Sequence, residues 1–144
     1  MAGNGTWSLS GINTSTIADG TITYTVTATD AAGNITTTSQ TATKDTVAPQ
    51  VAISQVTNPI DASNDNNTFA NGTGEVGATI SVVASNGGNS VTAVTTVVDS
   101  QGNWSVSGID VSELADGTIT YTVTATDVAD NAVTSSMTAT KTTV

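Results

Sequence analysis

Cysteine, histidine and arginine are all missing from this chain of 144 residues, and its only basic side chains are Lys44 and Lys141. Without cysteine there is no disulfide framework and no thiol chemistry, although that absence alone does not assign a reducing compartment. Without histidine or cysteine there is no ready base or nucleophile, and without arginine no guanidinium to clamp an oxyanion. Carboxylate pairs can cleave glycosidic bonds. Only five aromatics are present, however: Trp7, Tyr24, Phe69, Trp104 and Tyr121. They read mostly as core, which leaves too few to line a sugar groove. The chain is therefore expected not to be an enzyme. Twelve acidic residues against two lysines give a net charge of −10. Nucleic acid is excluded as a partner, because neutralising phosphates takes clustered Lys and Arg, and anionic membrane surfaces are disfavoured for the same reason. No apolar run approaches the ~18 residues of a membrane span, so no membrane insertion is expected. No signal-peptide pattern follows Met1, and Met1-Ala2-Gly3 reads as the start of an expressed fragment.

What the chain has is threonine, with 31 copies, and a hydrophobic share of 37% at a mean hydropathy of +0.04. Threonine is β-branched and suits the wet face of a strand. The core must then come mainly from Val, Ile, Ala and Leu. In Thr118-Ile119-Thr120-Tyr121-Thr122-Val123-Thr124-Ala125-Thr126, threonine and apolar residues alternate without a fault. That is the period of an antiparallel strand with one buried face.

A long repeat sets the architecture. Residues 5–44 realign on 102–141 at an offset of 97, with 28 of 40 positions identical, including all of Thr21–Asp30 against Thr118–Asp127. Such a period matches one sandwich domain and is too long for a solenoid rung or a propeller blade. The expected fold is all-β: an immunoglobulin-like antiparallel β-sandwich of about seven strands, in tandem repeat, with a partial module preceding it. The reading places the C-terminal half of one module at 1–45 and a complete module at 46–144. Seven strands are expected in the complete module, over 50–56, 67–75, 79–84, 91–98, 104–109, 119–126 and 132–141. Glycine- and Asn/Asp-rich turns separate them. No window reads convincingly as a helix.

Several segments resemble a known family. Ala48-Pro49, Gly74-Glu75-Val76-Gly77-Ala78-Thr79, Gly102-Asn103-Trp104-Ser105, Leu114-Ala115-Asp116-Gly117 and Thr124-Ala125-Thr126-Asp127 are similar to bacterial Ig-like repeats of giant adhesins. The resemblance implies strings of near-identical sandwiches exported by type I secretion, often ending in RTX segments and serving biofilm formation or surface attachment. It implies an extracellular location at the bacterial cell surface. The sequence departs from the family at Ile119, where an aromatic is usual, with Tyr121 two residues later. The turn after Asp127 reads Val-Ala-Asp-Asn, and the one after Asp30 reads Ala-Ala-Gly-Asn, so whether the copies share one ion site stays open.

Metal binding is the chemistry the residues favour. In an Ig-type order, the chain's entrance and the turns after the second, fourth and sixth strands gather at one pole. That pole would collect Asp45, Glu75, Asp99, Asp127 and Asp130, and the preceding half-module would add Asp19. At a spacing of about 6 Å and an effective dielectric of about 20, each carboxylate pair repels by roughly 3 kcal/mol, which a cation would relieve. Calcium accepts such irregular oxygen ligands. It is the expected structural ion, with Asp45 and Asp127 its foremost ligands. The alternative is that these acids are separate turn residues, common in turns for backbone reasons.

A second acidic stretch, Asp61-Ala62-Ser63-Asn64-Asp65-Asn66-Asn67, has the spaced oxygens of half an EF-hand loop. It lacks the glycine at the sixth position and the glutamate at the twelfth, so a polar loop is the better reading. Trp7 and Trp104 open matching strands at positions alternating with Leu9 and Val106, which points them inward rather than at a glycan.

Residues 1–44 are expected to carry the last three strands of a module without the first four. Ile22, Tyr24 and Val26 then need a partner. Permuted pairing with residues 50–98, or strand-exchanged self-association through residues 1–44, would supply one. The reading is an extender module of a repetitive adhesin, rigidified by calcium at module junctions and partnered by neighbouring repeats. The alternatives are a carbohydrate- or host-surface-binding module, or a spacer domain of a secreted enzyme.

Overall fold

The computed structural model describes residues 3–144; Met1 and Ala2, read above as part of a fragment's start, lie outside the described residues. The chain divides into two units, one ending at Thr46 and the other running from Val47 to Val144. Described residues form strands, turns and bends, with no helix.

The first unit is a hairpin of β1 (Gly20–Thr29) and β2 (Ile35–Lys44), paired antiparallel along their whole length. Residues 7–12 form no strand, although the repeat of the strand expected over 104–109 predicts one there. The second unit explains the difference. There the matching segment, β8 (Asn103–Ile109), takes its ladder from β4 (Thr68–Gly74). Nothing in the first unit corresponds to β4, so the segment has no edge to join.

The second unit is a two-sheet sandwich. One sheet has the order β3 (Val51–Val56), β4, β8. The other places β9 (Gly117–Thr126) between β10 (Ala132–Lys141) and β5 (Thr79–Asn86). The expected strand over 91–98 is shortened to β7 (Val94–Val97), and a separate two-residue strand, β6 (Asn89–Ser90), precedes it; both pair with β5. β6 arises from the turn Asn86-Gly87-Gly88-Asn89. With Gly87 at φ 59° it reverses the chain within two residues and returns it along the edge it has just left.

The core lies between the sheets. Ile119, Tyr121, Val123 and Ala125 of β9 are fully buried, with Ile80, Val82, Ala84, Ala70 and Ile109 among their companions. Each large aliphatic side chain removed from water in this way contributes about 1.5–3 kcal/mol. At the centre, the Tyr121 hydroxyl donates to Thr68 Oγ1 at 2.8 Å, and Thr68 Oγ1 donates to the Ile109 carbonyl at 2.8 Å. Burial pushes the Tyr121 phenol above its ordinary pKa, partly offset by its bond to Thr68. β1 carries the same ten residues as β9. There Tyr24 keeps 37% of its surface exposed, whereas Tyr121 keeps none.

Gly72 sets the spacing within the first sheet. A Cβ at this position would lie 1.9 Å from the Ala52 carbonyl oxygen and 2.9 Å from Trp104 Cζ2. The close approach buries Trp104, whose Nε1 donates to the Thr73 carbonyl at 3.1 Å. Gly72→Ala is expected to cost about 3 kcal/mol or more in urea unfolding, because backbone rather than a flexible side chain must yield. Tyr121→Phe, which deletes one buried hydrogen bond and keeps the ring, is expected to cost about 1 kcal/mol.

Candidate functional site

Four of the acidic residues predicted for one pole, Glu75, Asp99, Asp127 and Asp130, lie in adjoining turns of the second unit. The Gly74 amide donates to the Gly102 carbonyl at 3.0 Å and the Gly77 amide to the Val98 carbonyl at 3.1 Å, tying the turn after β4 to the turn after β7. Pairing of Thr79 with both Val97 and Thr126 brings the end of β9 to the same place. Asp19 and Asp45 belong to the first unit.

Two of these carboxylates do a common local job. Asp127 Oδ1 accepts the amides of Ala129 and Asn131 at 2.8 and 3.0 Å, and its Oδ2 accepts the Asn131 side-chain amide at 2.9 Å. Asp30 does the same with Ala32, Asn34 and the Asn34 side chain, each at 2.8–2.9 Å. Asp99 Oδ1 accepts the amides of Gln101 and Asn103, both at 2.9 Å. The three turns share one pattern: Asp, two variable residues, a residue with positive φ, then Asn. Gly33 and Gly102 fill the fourth place at φ 84° and 82°, and Asp130 fills it at 68°. Aspartate tolerates this left-handed backbone better than most side chains. The differing turn sequences after Asp30 and Asp127 therefore build one geometry. The pattern was visible in the sequence as a five-residue spacing, Asp-x-x-Gly-Asn from Asp30 and Asp99 and Asp-x-x-Asp-Asn from Asp127, but reading the acids as a charge cluster passes over it.

The fit to a metal ion is limited. Among the described residues, no three acidic side chains come together in a group that could hold one. The second acidic loop is bonded to itself: Asp61 Oδ1 accepts the Ser63 amide at 2.8 Å, and Asn64 Oδ1 accepts the Asp61 amide at 2.9 Å. This is the polar loop the sequence favoured over an EF-hand.

Sequence reasoning missed the lysines. Lys141 is 3% exposed, and its ammonium donates to the carbonyls of Val111, Ser112 and Leu114 at 2.9, 3.0 and 2.6 Å. Asp65 lies 3.8 Å away. Lys44 repeats the arrangement with the carbonyls of Thr14, at 2.9 Å, and Ile17. The clue was present: the chain's only two cations stand at matching positions of the repeat. Because both ammonium groups are turned onto main-chain carbonyls, they leave most of the acidic surface uncompensated.

Two predictions follow from these contacts. Lys141→Met should cost about 3 kcal/mol in urea unfolding, because it strands buried carbonyls that now receive charge-assisted bonds. The second concerns acid. The Asn131 side-chain amide holds Asp127 below the ordinary carboxylate pKa, and the Asn34 amide does the same for Asp30. The Ser63 hydroxyl lowers Asp61, the Ser112 hydroxyl lowers Asp110, and the Thr143 amide lowers Asp116. A group lowered in the folded state stabilises it above the unfolded pKa and loses that contribution as pH falls through the folded one. Stability should hold from pH 7 to about 5 and fall below about pH 4. Asp127→Asn should shrink that acid-side fall.

No protein-family model matches the sequence, and no curated protein matches it. Solved structures do. The crystal structure of a tetra-tandem repeat in the extending region of a large adhesion protein is 29% identical, with a TM-score of 0.56 over 92% of this chain and 34% of that one. This chain thus spans about a third of the length of that structure. A Ca2+-stabilised adhesin that helps an Antarctic bacterium reach out and bind ice is 29% identical, with a TM-score of 0.42 over 88% of this chain and 32% of that one. A 1.5-MDa bacterial ice-binding adhesin, solved for insight into host cell surface retention, is 28% identical, with a TM-score of 0.45 over 88% and 43%. The chain is similar to a tandem repeat from the extending region of a large adhesion protein.

Proposed function

We propose that this chain is a structural extender segment of a repetitive adhesin, displayed outside the cell or at its surface. The observation that carries the reading is the 97-residue repeat with its near-identical strands. The likeness to a tandem repeat from the extending region of a large adhesion protein supports it. The side chains present agree with a structural role. The core consumes Trp104 and Tyr121, the turns consume Asp99 and Asp127, and both lysines bond to backbone. A glycan array probed with the whole chain, beside a hydrolysis screen on glycosides and esters, tests this reading. We expect neither binding nor turnover. Saturable glycan binding would favour the ligand-binding alternative.

Calcium is the finer part of the proposal. The net charge of −10, with both lysines engaged on carbonyls, supports it. Since no three acids group together among the described residues, an ion held within one unit would need main-chain carbonyls and water to complete its 6–8 oxygens. Affinity of about 10⁻⁴–10⁻³ M is then expected, as in other extracellular modules. Titrating calcium to 10 times that range, with chelator as control, should raise the melting temperature by a few degrees, roughly RT ln(1 + [L]/Kd) in free energy. No shift would remove calcium from the account and leave the extender reading standing.

Neighbouring repeats are the natural partners of such a segment. Strand-exchanged self-association through residues 1–44 is the finer partner reading, supported by the identity of β1 and β9. Each copy brings two such hairpins and one set of covering strands, so exchange adds no net pairing, and we expect only a minor, concentration-dependent dimer. Light scattering after size exclusion measures it. A strict monomer at every concentration, with residues before Thr46 open to protease, removes it.

A further inference from the structure

The two units share a second conserved arrangement outside their turns, and it lies where the chain leaves each hairpin. In the first unit, Asp19 Oδ2 accepts the Thr46 amide at 2.8 Å, and both carboxylate oxygens accept the Thr46 hydroxyl at 3.0–3.1 Å. In the second, Asp116 Oδ2 accepts the Thr143 amide at 2.9 Å and Oδ1 accepts its hydroxyl at 2.9 Å. Two residues earlier, on the same side of the extended chain, Lys44 and Lys141 hold the carbonyls of the same loop. The loop before β1 or β9 thus grips the strand end after β2 or β10 twice, once through a cation and once through an anion.

We propose that this Lys–Asp–Thr arrangement is an exit latch: each unit's own loop fixes the direction in which the chain leaves it, without a metal ion. Three observations carry this. The arrangement occurs twice in one chain with the same partners at an offset of 97. It forms in the first unit although no strand there stands in for β3–β8, so it needs only the hairpin and its preceding loop. It also acts on the residue where the torsions matter. Beyond Thr46 come Val47, Ala48 and Pro49. Proline fixes its own φ and restricts the residue before it, so pinning Thr46 leaves few free torsions before β3. A carboxylate that binds an amide and the hydroxyl of the same residue fixes that residue's backbone and rotamer together. Capping a loop for stability alone would not require reaching past the strand end to a residue outside the ladder.

The purpose of the latch rests on the extender reading, but its existence is testable without it. The probe is amide exchange and ¹⁵N relaxation on the whole chain in chelator. Thr46 and Thr143 amides are expected to exchange at least about tenfold slower than unprotected ones, with backbone order close to that of β2 and β10. Asp19→Ala should abolish protection at Thr46 and mobilise residues 45–48 while leaving Thr143 unchanged. Asp116→Ala should do the reverse. Thr46→Val, which removes only the hydroxyl, should lose part of the protection and guards against Asp19→Ala unfolding its hairpin. Unprotected Thr46 in the unaltered chain, protection that needs calcium, or Asp19→Ala and Thr46→Val variants that both exchange as the unaltered chain does would each overturn the latch. Failure of the extender reading would show instead as glycan binding or turnover with the latch intact.

Discussion

The whole arrangement depends on one constraint: an alternating strand gains from its apolar face only when a second layer covers it. β9 and β1 make the comparison within a single chain, because their ten residues are the same. In β9 the Ile, Tyr, Val and Ala of that face lose all contact with water, whereas in β1 the Tyr remains partly wet and the Ala is exposed. Sequence sets which face is available, and the opposite sheet decides whether burial is realised. The covering sheet closes tightly because Gly72 lets β3 and Trp104 crowd together. The two sheets are joined at the centre by the Tyr121 hydroxyl of β9, which donates to Thr68 of β4, itself bonded to the Ile109 carbonyl of β8.

Much of this was legible in the sequence, for physical reasons. Threonine alternating with aliphatics has the period of a strand, and the 97-residue spacing has the size of a sandwich. The strand expected over 132–141 appears with those bounds, and most others shift by one or two residues. What was not legible was tertiary. The segment over residues 7–12 has the right alternation, but a strand exists only beside a partner, and pattern cannot supply one. The short β6, ahead of the strand expected over 91–98, follows from how a Gly-Gly reversal aims the chain, which periodicity does not register.

The candidate site was legible in part. Charge counting found the acidic residues and placed four of them at one end of the second unit, as topology requires. It did not foresee that Asp99 and Asp127 would spend oxygens on their own turns, since the spacing to Gly102, Asp130 and the following Asn matters more than their charge. The lysines were passed over because two cations look negligible beside twelve anions. Their aligned positions in the repeat were the better clue, and the carbonyl cages are what that alignment encodes.

Those cages bear on how the chain would fare among digestive enzymes. A protease that cuts after basic residues must draw an extended, accessible Lys or Arg into its specificity pocket. Here the chain offers no arginine, and each lysine lies in a strand with its ammonium held by backbone carbonyls. A string of such units would present a trypsin-like enzyme with almost nothing to grasp while folded. The same feature hides the Lys141 amine from reagents that label lysine.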